Sequence, residues 1–218
     1  MTDADALAAV IAQQIDDYVA HNDPYLIDHT VQITSFGGVA TTALTAYLID
    51  HGLSLPKGPG QWPFKHHRVA PQAADVPDGF RVIYVVGDPR NAVLSLFRRN
   101  YQVGHYRSMQ EGAEVTAVVA ETLESLDSYL AADRDVFDIA GHVAAWRNHP
   151  PGYPVMFLRH EYLHDVWPGV MEFVGLDRAS EPLPRRERAS NWRDQPAEVQ
   201  ARLEALLGDV AREIESWP

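Results

Sequence analysis

The stretch Arg81-Val-Ile-Tyr-Val-Val-Gly-Asp-Pro-Arg90-Asn-Ala-Val-Leu-Ser95-Leu-Phe-Arg98-Arg99 constrains the fold more than any other part of the chain. Its apolar run, Val82 to Val86, has no polar alternation, which fits a strand buried on both faces of a parallel sheet. The run breaks at Gly87-Asp88-Pro89, where Asp88 suits an N-cap and Pro89 a first helical turn. A strand that turns at once onto a helix N-terminus is where open α/β proteins seat anions. This helix also carries Ser95, Arg98 and Arg99.

Composition limits what such a seat can serve. A chain of 218 residues that is 46% hydrophobic, with five tryptophans, can bury a real core, and a single domain over 1–218 is expected. No cysteine is present, which excludes disulfides, thiolate metal sites and cysteine nucleophiles. A reducing, cytoplasmic setting is the expectation, because the acidic start Met1-Thr2-Asp3-Ala4-Asp5 lacks the basic flank of a signal peptide. No apolar run reaches the ~18 residues of a membrane span. The formal charge of −12 disfavours nucleic acid and anionic membranes as partners, so an anionic ligand needs a local basic island. The candidates are Lys65 to Arg68, Arg98-Arg99-Arg107 and Arg185-Arg186-Arg188-Arg193.

The rest of the chain alternates between strand and helix patterns. Residues 3–21 read as an amphipathic helix within an N-terminal extension, 1–29. Thr30 to Phe36 reads as a strand, Gly37-Gly38 as its turn, and Thr41 to His51 as a helix. After a Gly/Pro-rich loop, Phe64-Lys65-His66-His67-Arg68 reads as a short strand or strand end. Helices are expected over Asn91–Tyr101, Glu114–Leu130, Val136–Asn148, Glu161–Val174 and Pro196–Ile214, with a strand at Val155–Leu158 and a polar loop from Glu181 to Asn191. His142 and Trp146, at i and i+4, read as core-lining. Such alternation implies β-α-β units with right-handed crossovers, hence a three-layer α/β sandwich with a mostly parallel central sheet.

Three constellations can carry chemistry. In Gly37-Gly38-Val39-Ala40-Thr41-Thr42, glycines after a strand let backbone N–H groups converge on an oxyanion and the Thr hydroxyls can donate. The same residues also fit an ordinary glycine turn capped by threonine, and no lysine follows to make a Walker A loop. In an extended chain Lys65 and His67 share one face, which suits a base and a cation that neutralises a leaving oxygen. A solvated basic strand end is the alternative, and no third ligand lies at metal-site spacing. Arg185 to Arg193 clusters guanidiniums suited to bidentate phosphate recognition, or else forms a solvated basic loop.

Taken in order, these segments resemble the sulfotransferases that use 3′-phosphoadenosine 5′-phosphosulfate, over roughly residues 30–214. "SFGGVATTALTAYL" resembles that family's 5′-phosphosulfate loop, "FKHH" its K-T-H segment, and "RVIYVVGDPRNAVLSLF" its 3′-phosphate motif. "PVMFLRHEYLHDVWPGVMEFVGL" resembles the later strand and helix, and Arg185 to Arg193 the C-terminal phosphate loop without a gap. The resemblance implies a P-loop-NTPase-like sulfotransferase architecture and in-line sulfuryl transfer from that donor, without a metal, to a small-molecule or carbohydrate hydroxyl or amine. It implies His67 as general base and Lys65 as the cation at the bridging oxygen. Gly37, Gly38, Val39, Ala40, Thr41 and Thr42 would hold the 5′-phosphosulfate. Ser95, Arg185 and Arg186 would bind the 3′-phosphate, with Arg90, Arg98 or Arg99 contributing, and the acceptor pocket would come from 101–148, including a loop around His105-Tyr106.

The departures from that pattern define a second reading. Gly38 stands where the family has Lys or Arg, Ala40 where it has Gly, and Ala43 where it has the adenine-stacking tryptophan. Gly87 replaces an arginine that grips the 3′-phosphate, and Glu187 replaces a glycine. A non-catalytic relative with a degraded donor site predicts these losses but not the retention of Lys65, His67, Ser95 and the arginine pair. A nucleotide kinase is disfavoured by the missing Walker A lysine.

Overall fold

Among the described residues three strands line up in parallel in the order β1-β2-β3: β1 (Val31–Ser35), β2 (Arg81–Val86) and β3 (Val155–Arg159). The computed structural model describes residues 29–55, 65–110, 113–148, 152–185 and 189–217. The expected helix at 3–21, Arg186 and most of the Gly/Pro-rich loop lie outside them. All five residues of β1 are buried, as are Val82 to Val86 of the central β2, so the unbroken apolar run does mark a strand covered on both faces. Ile33 pairs with Ile83, and Ile83 with Met156, which fixes the register. β3 is more open, with Phe157 38% exposed at the sheet edge.

The helices that flank this α/β sheet are α1 (Thr41–Asp50), α2 (Pro89–Arg98), α3 (Gln102–Met109), α4 (Ala117–Thr122), α5 (Leu126–Ala131), α6 (Ile139–Asn148), α7 (Trp167–Phe173) and α8 (Ala197–Glu215). Asp88 caps α2, its carboxylate accepting from Arg90 N at 3.0 Å, with Pro89 in the first turn. Trp146, Trp167, Tyr84, Tyr129, Phe36 and Phe80 are among the side chains fully enclosed in the core. Each such side chain contributes about 1.5–3 kcal/mol by leaving water. His142 and Trp146 are buried on one face of α6, where both rings stack on Tyr84, with centroids 5.7 and 5.4 Å away. Among the described residues no helix is long and apolar enough to cross a membrane.

Three expectations are corrected. Residues 65–66 form a turn, not an extended strand end. The helix expected over Glu114–Leu130 is broken in two, because Ser125 caps a new start and accepts from Ser128 N at 3.0 Å. His105-Tyr106 lies in helix α3, not in a loop.

Candidate functional site

The C-terminal ends of β1 and β2 open onto two adjacent turns. In the first, Gly37, Gly38 and Ala40 all take left-handed backbone, with φ of 91°, 69° and 62°. Ser35 Oγ accepts from Gly37 N at 3.0 Å and lies 2.6 Å from Thr41 Oγ1, which bends the chain directly onto α1. Among the described residues no side-chain cap bond is made at Ala40, the N-cap of α1, where first-turn N–H groups lack intrahelical partners. The two glycines are required by packing. A Cβ on Gly37 would lie 2.0 Å from His105 Cε1, and one on Gly38 would lie 2.6 Å from Ala92 Cα. Position 38 therefore has no room for the family's lysine or arginine: its backbone presses on α2.

The Lys65–His67 turn is tied to this loop from both sides. Lys65 O accepts from Ser35 N at 3.0 Å and from Thr34 Oγ1 at 3.1 Å. His142 Nε2 donates to His66 O at 3.2 Å, and Trp146 Nε1 to His67 O at 2.8 Å. The turn removes the alternation of faces that an extended chain would give Lys65 and His67. Instead Lys65 Nζ donates to Thr42 Oγ1 at the start of α1, and His66 Nδ1 donates to Ser35 O at 2.9 Å. His66 Nε2 has no hydrogen-bond partner among the described residues.

His105 completes the cluster. Its Nε2 donates to Phe36 O at 2.7 Å, and its ring meets that of His66 edge-on with centroids 4.5 Å apart. Burial, then His105 and Lys65, hold His66 well below its ordinary pKa. Burial pulls His105 down to about 4, with Arg99 and Lys65 adding to the effect. His142, buried against Tyr84, drops to about 3. Lys65 falls to about 8, through burial and then the nearby Arg99. Lys65 and Arg99 are thus two cations close enough for Arg99 to lower the proton affinity of Lys65, while burial keeps the three histidines neutral.

The other expected phosphate ligands within the described residues are dispersed. Arg99 Nε donates to Ser95 O at 3.0 Å, which keeps that guanidinium and half-buried Ser95 on the last turns of α2. Arg98 turns away to Ser190 Oγ at 2.9 Å and lines a cavity of about 420 Å³ with Phe97, Gln102 and Glu124. Arg185 is exposed, 3.9 Å from Asp165. Arg90 is enclosed: it bonds Asp88 at 2.8 and 2.9 Å, Glu204, and Glu215 at 3.5 Å, and stacks 4.1 Å from the centre of the Trp192 ring. Each of its three guanidinium nitrogens bonds a protein carboxylate, so it anchors the C-terminal segment.

The second turn, at Gly87, lies under the exposed Glu161 carboxylate, while the Asp88 carboxylate is paired with Arg90. A Cβ there would stand 3.1 Å from Val39 Cγ1 of the glycine loop and 3.2 Å from Glu161 Oε1. Glu161 Oε1 also accepts a long hydrogen bond from Asp88 N at 3.4 Å. Sequence reasoning gave no role to His66 or Glu161, and placed His105 only in a loop lining the acceptor pocket. The His66-His67 pair was visible, but which ring faced the loop depended on the turn. Nothing local marked Glu161. Among the described residues no cluster of three or more His, Asp or Glu could hold a metal ion. No protein-family model matches the chain, and no curated protein matches it detectably in sequence.

Proposed function

We propose that the chain is a sulfotransferase that moves a sulfuryl group from an adenosine phosphosulfate, of the 3′-phosphoadenosine 5′-phosphosulfate type, to a hydroxyl or amine of a small molecule or carbohydrate. The single observation that carries this is the Lys65 ammonium bonded to Thr42 Oγ1 at the start of α1, beside a left-handed glycine loop. Backbone N–H groups of the loop, with Thr41 and Thr42, would cradle the 5′-phosphosulfate. The acceptor oxygen or nitrogen attacks sulfur as the bridging S–O bond breaks; the nucleotide leaves as its 5′-phosphate. Lys65 stabilises the charge gained by that leaving oxygen.

The acceptor's proton needs a base. The resemblance assigns it to His67. What favours His66 is its fixed tautomer and its unpartnered Nε2 beside Lys65. Incubation with the phosphosulfate nucleotides and a panel of phenols, amines and sugars should release desulfated nucleotide in step with sulfated product. Absence of any thermal stabilisation by adenine nucleotides, or release that ignores the acceptor, would sink this reading. The second reading, a non-catalytic binding protein, draws on Gly38 packed against Ala92 and on the enclosed Arg90. It predicts nucleotide binding without transfer.

A further inference from the structure

Groups of opposite charge adjoin the glycine loop. The cations are Lys65 and Arg99, whose mutual repulsion contributes to the lowered affinity of Lys65 for its proton. The anion is the exposed carboxylate of Glu161, over Gly87 and Asp88 of the β2 turn. The contact between Gly87 and Val39 shows that this turn and the glycine loop are neighbours.

The described arginines Arg90, Arg98 and Arg159 are each bonded to protein groups, Arg90 to Asp88 of the turn itself. Arg90 is enclosed by Asp88, Glu204 and Glu215. Arg98 bonds Ser190, and Arg159 bonds Tyr162 Oη at 3.3 Å and Glu215 O at 3.1 Å. A phosphate dianion placed over Gly87 would face Glu161 directly, with like charges at short range. A ribose hydroxyl placed there would donate to the same carboxylate, as acidic side chains near strand ends do in other nucleotide sites.

We infer that this site takes an adenine nucleotide with a free 3′-hydroxyl in preference to a 3′-phosphate, with Glu161 accepting the ribose hydroxyl. The inference rests on the donor-site reading and narrows its donor to adenosine 5′-phosphosulfate, whose desulfated product is AMP. It also gives a reason for Gly87: with no cation to present, the position is left to the close packing of Val39 and Glu161.

Calorimetric titration of the full chain with AMP and with adenosine 3′,5′-bisphosphate, at one fixed ionic strength, tests this. AMP should bind at least about tenfold tighter, the size of one charge-assisted hydrogen bond gained against a repulsion avoided. In E161Q, an exposed and sterically neutral change, AMP should weaken by about threefold or more and the bisphosphate should strengthen. Equal or tighter binding of the bisphosphate by the wild-type chain overturns the inference and leaves the donor site standing. A preference for AMP that E161Q does not alter overturns the role of Glu161. Failure of both nucleotides to bind removes the donor site itself, and the inference with it.

Discussion

His66 Nδ1 lies 2.9 Å from the carbonyl oxygen of Ser35, a group that can only accept. The proton of a neutral His66 therefore sits on Nδ1, and Nε2 keeps its lone pair. If His66 is the base, H66A should lower turnover by about 10²–10⁴-fold while leaving nucleotide binding within a few fold, and H67A should do far less. Because burial and then His105 hold His66 well below its usual pKa, the rate should stay level as pH falls through about 6.5. A break in the rate near that pH, or a larger loss in H67A, would return the role to His67.

The same burial makes the fold acid-sensitive. Burial keeps His66, His105 and His142 neutral in the folded chain, the latter two down to about 4 and about 3. Unfolded, each takes up a proton below about 6.5, so the unfolded state binds more protons and stability falls as pH drops from that value. Three protons would give at most about 4 kcal/mol per pH unit between pH ~6 and ~5, above the range where most carboxylates titrate. Urea midpoints at a series of pH values check this. A flat profile in that window would mean that the rings are open to water.

Lys65 behaves in the opposite sense toward ligand and fold. Burial and then Arg99 lower its pKa to about 8, so the folded chain resists the charged form that an anion would favour. Nucleotide affinity should hold near neutral pH and then fall, by at most about tenfold per unit, as pH rises above about 8. For stability, the unfavourable contribution is full below about 8 and fades as pH rises toward the unfolded value near 10.5. K65M should therefore abolish nucleotide binding yet raise the unliganded Tm at neutral pH, by up to about 3 kcal/mol in free-energy terms. A variant that loses stability instead would show that Lys65 is a structural group.

What was legible in the sequence was what local chemistry decides. The run Val82 to Val86 and the Asp88-Pro89 start of α2 were readable because burial on both faces and capping are written in adjacent residues. The turn at Lys65-His66 was not, since its tethers come from Thr34, Ser35, His142 and Trp146, far away along the chain. α3 was missed because Tyr101 gives it no side-chain cap and Gly104 interrupts its pattern. Arg90 read as a phosphate ligand from the motif alone; Glu204 and Glu215, which engage it, lie on α8.

Arg90 is the joint between α2 and that C-terminal helix. Its side chain is 6% exposed, and Asp88 beside it also accepts from Trp192 Nε1 at 2.8 Å. R90M would leave the Asp88 carboxylate without its cation and remove the face on which Trp192 stacks. The expected cost is about 2–4 kcal/mol, below the full value for a buried pair because Glu204 is partly exposed. Chemical denaturation measures it, and nucleotide affinity of the folded fraction should change little. A loss of affinity beyond about tenfold with stability intact would restore Arg90 as a ligand.

Ala40 offers the converse experiment at the glycine loop. It holds φ 62° and ψ 16°, left-handed backbone that costs an alanine about 1–2 kcal/mol. A40G relieves that strain and forfeits about 0.5–1 kcal/mol through the greater freedom of glycine in the unfolded chain, so a net gain of about 0.5–1 kcal/mol is expected. G38A should go the other way. Its Cβ would meet Ala92 Cα at 2.6 Å, a backbone contact that cannot yield without moving α2, and φ there is 69°. A loss of about 2–4 kcal/mol is expected from overpacking and strain together. Paired urea titrations of the two variants decide the point. If A40G destabilised the chain or G38A were neutral, the loop would not hold the close approach to α2 that excludes a cationic side chain from position 38.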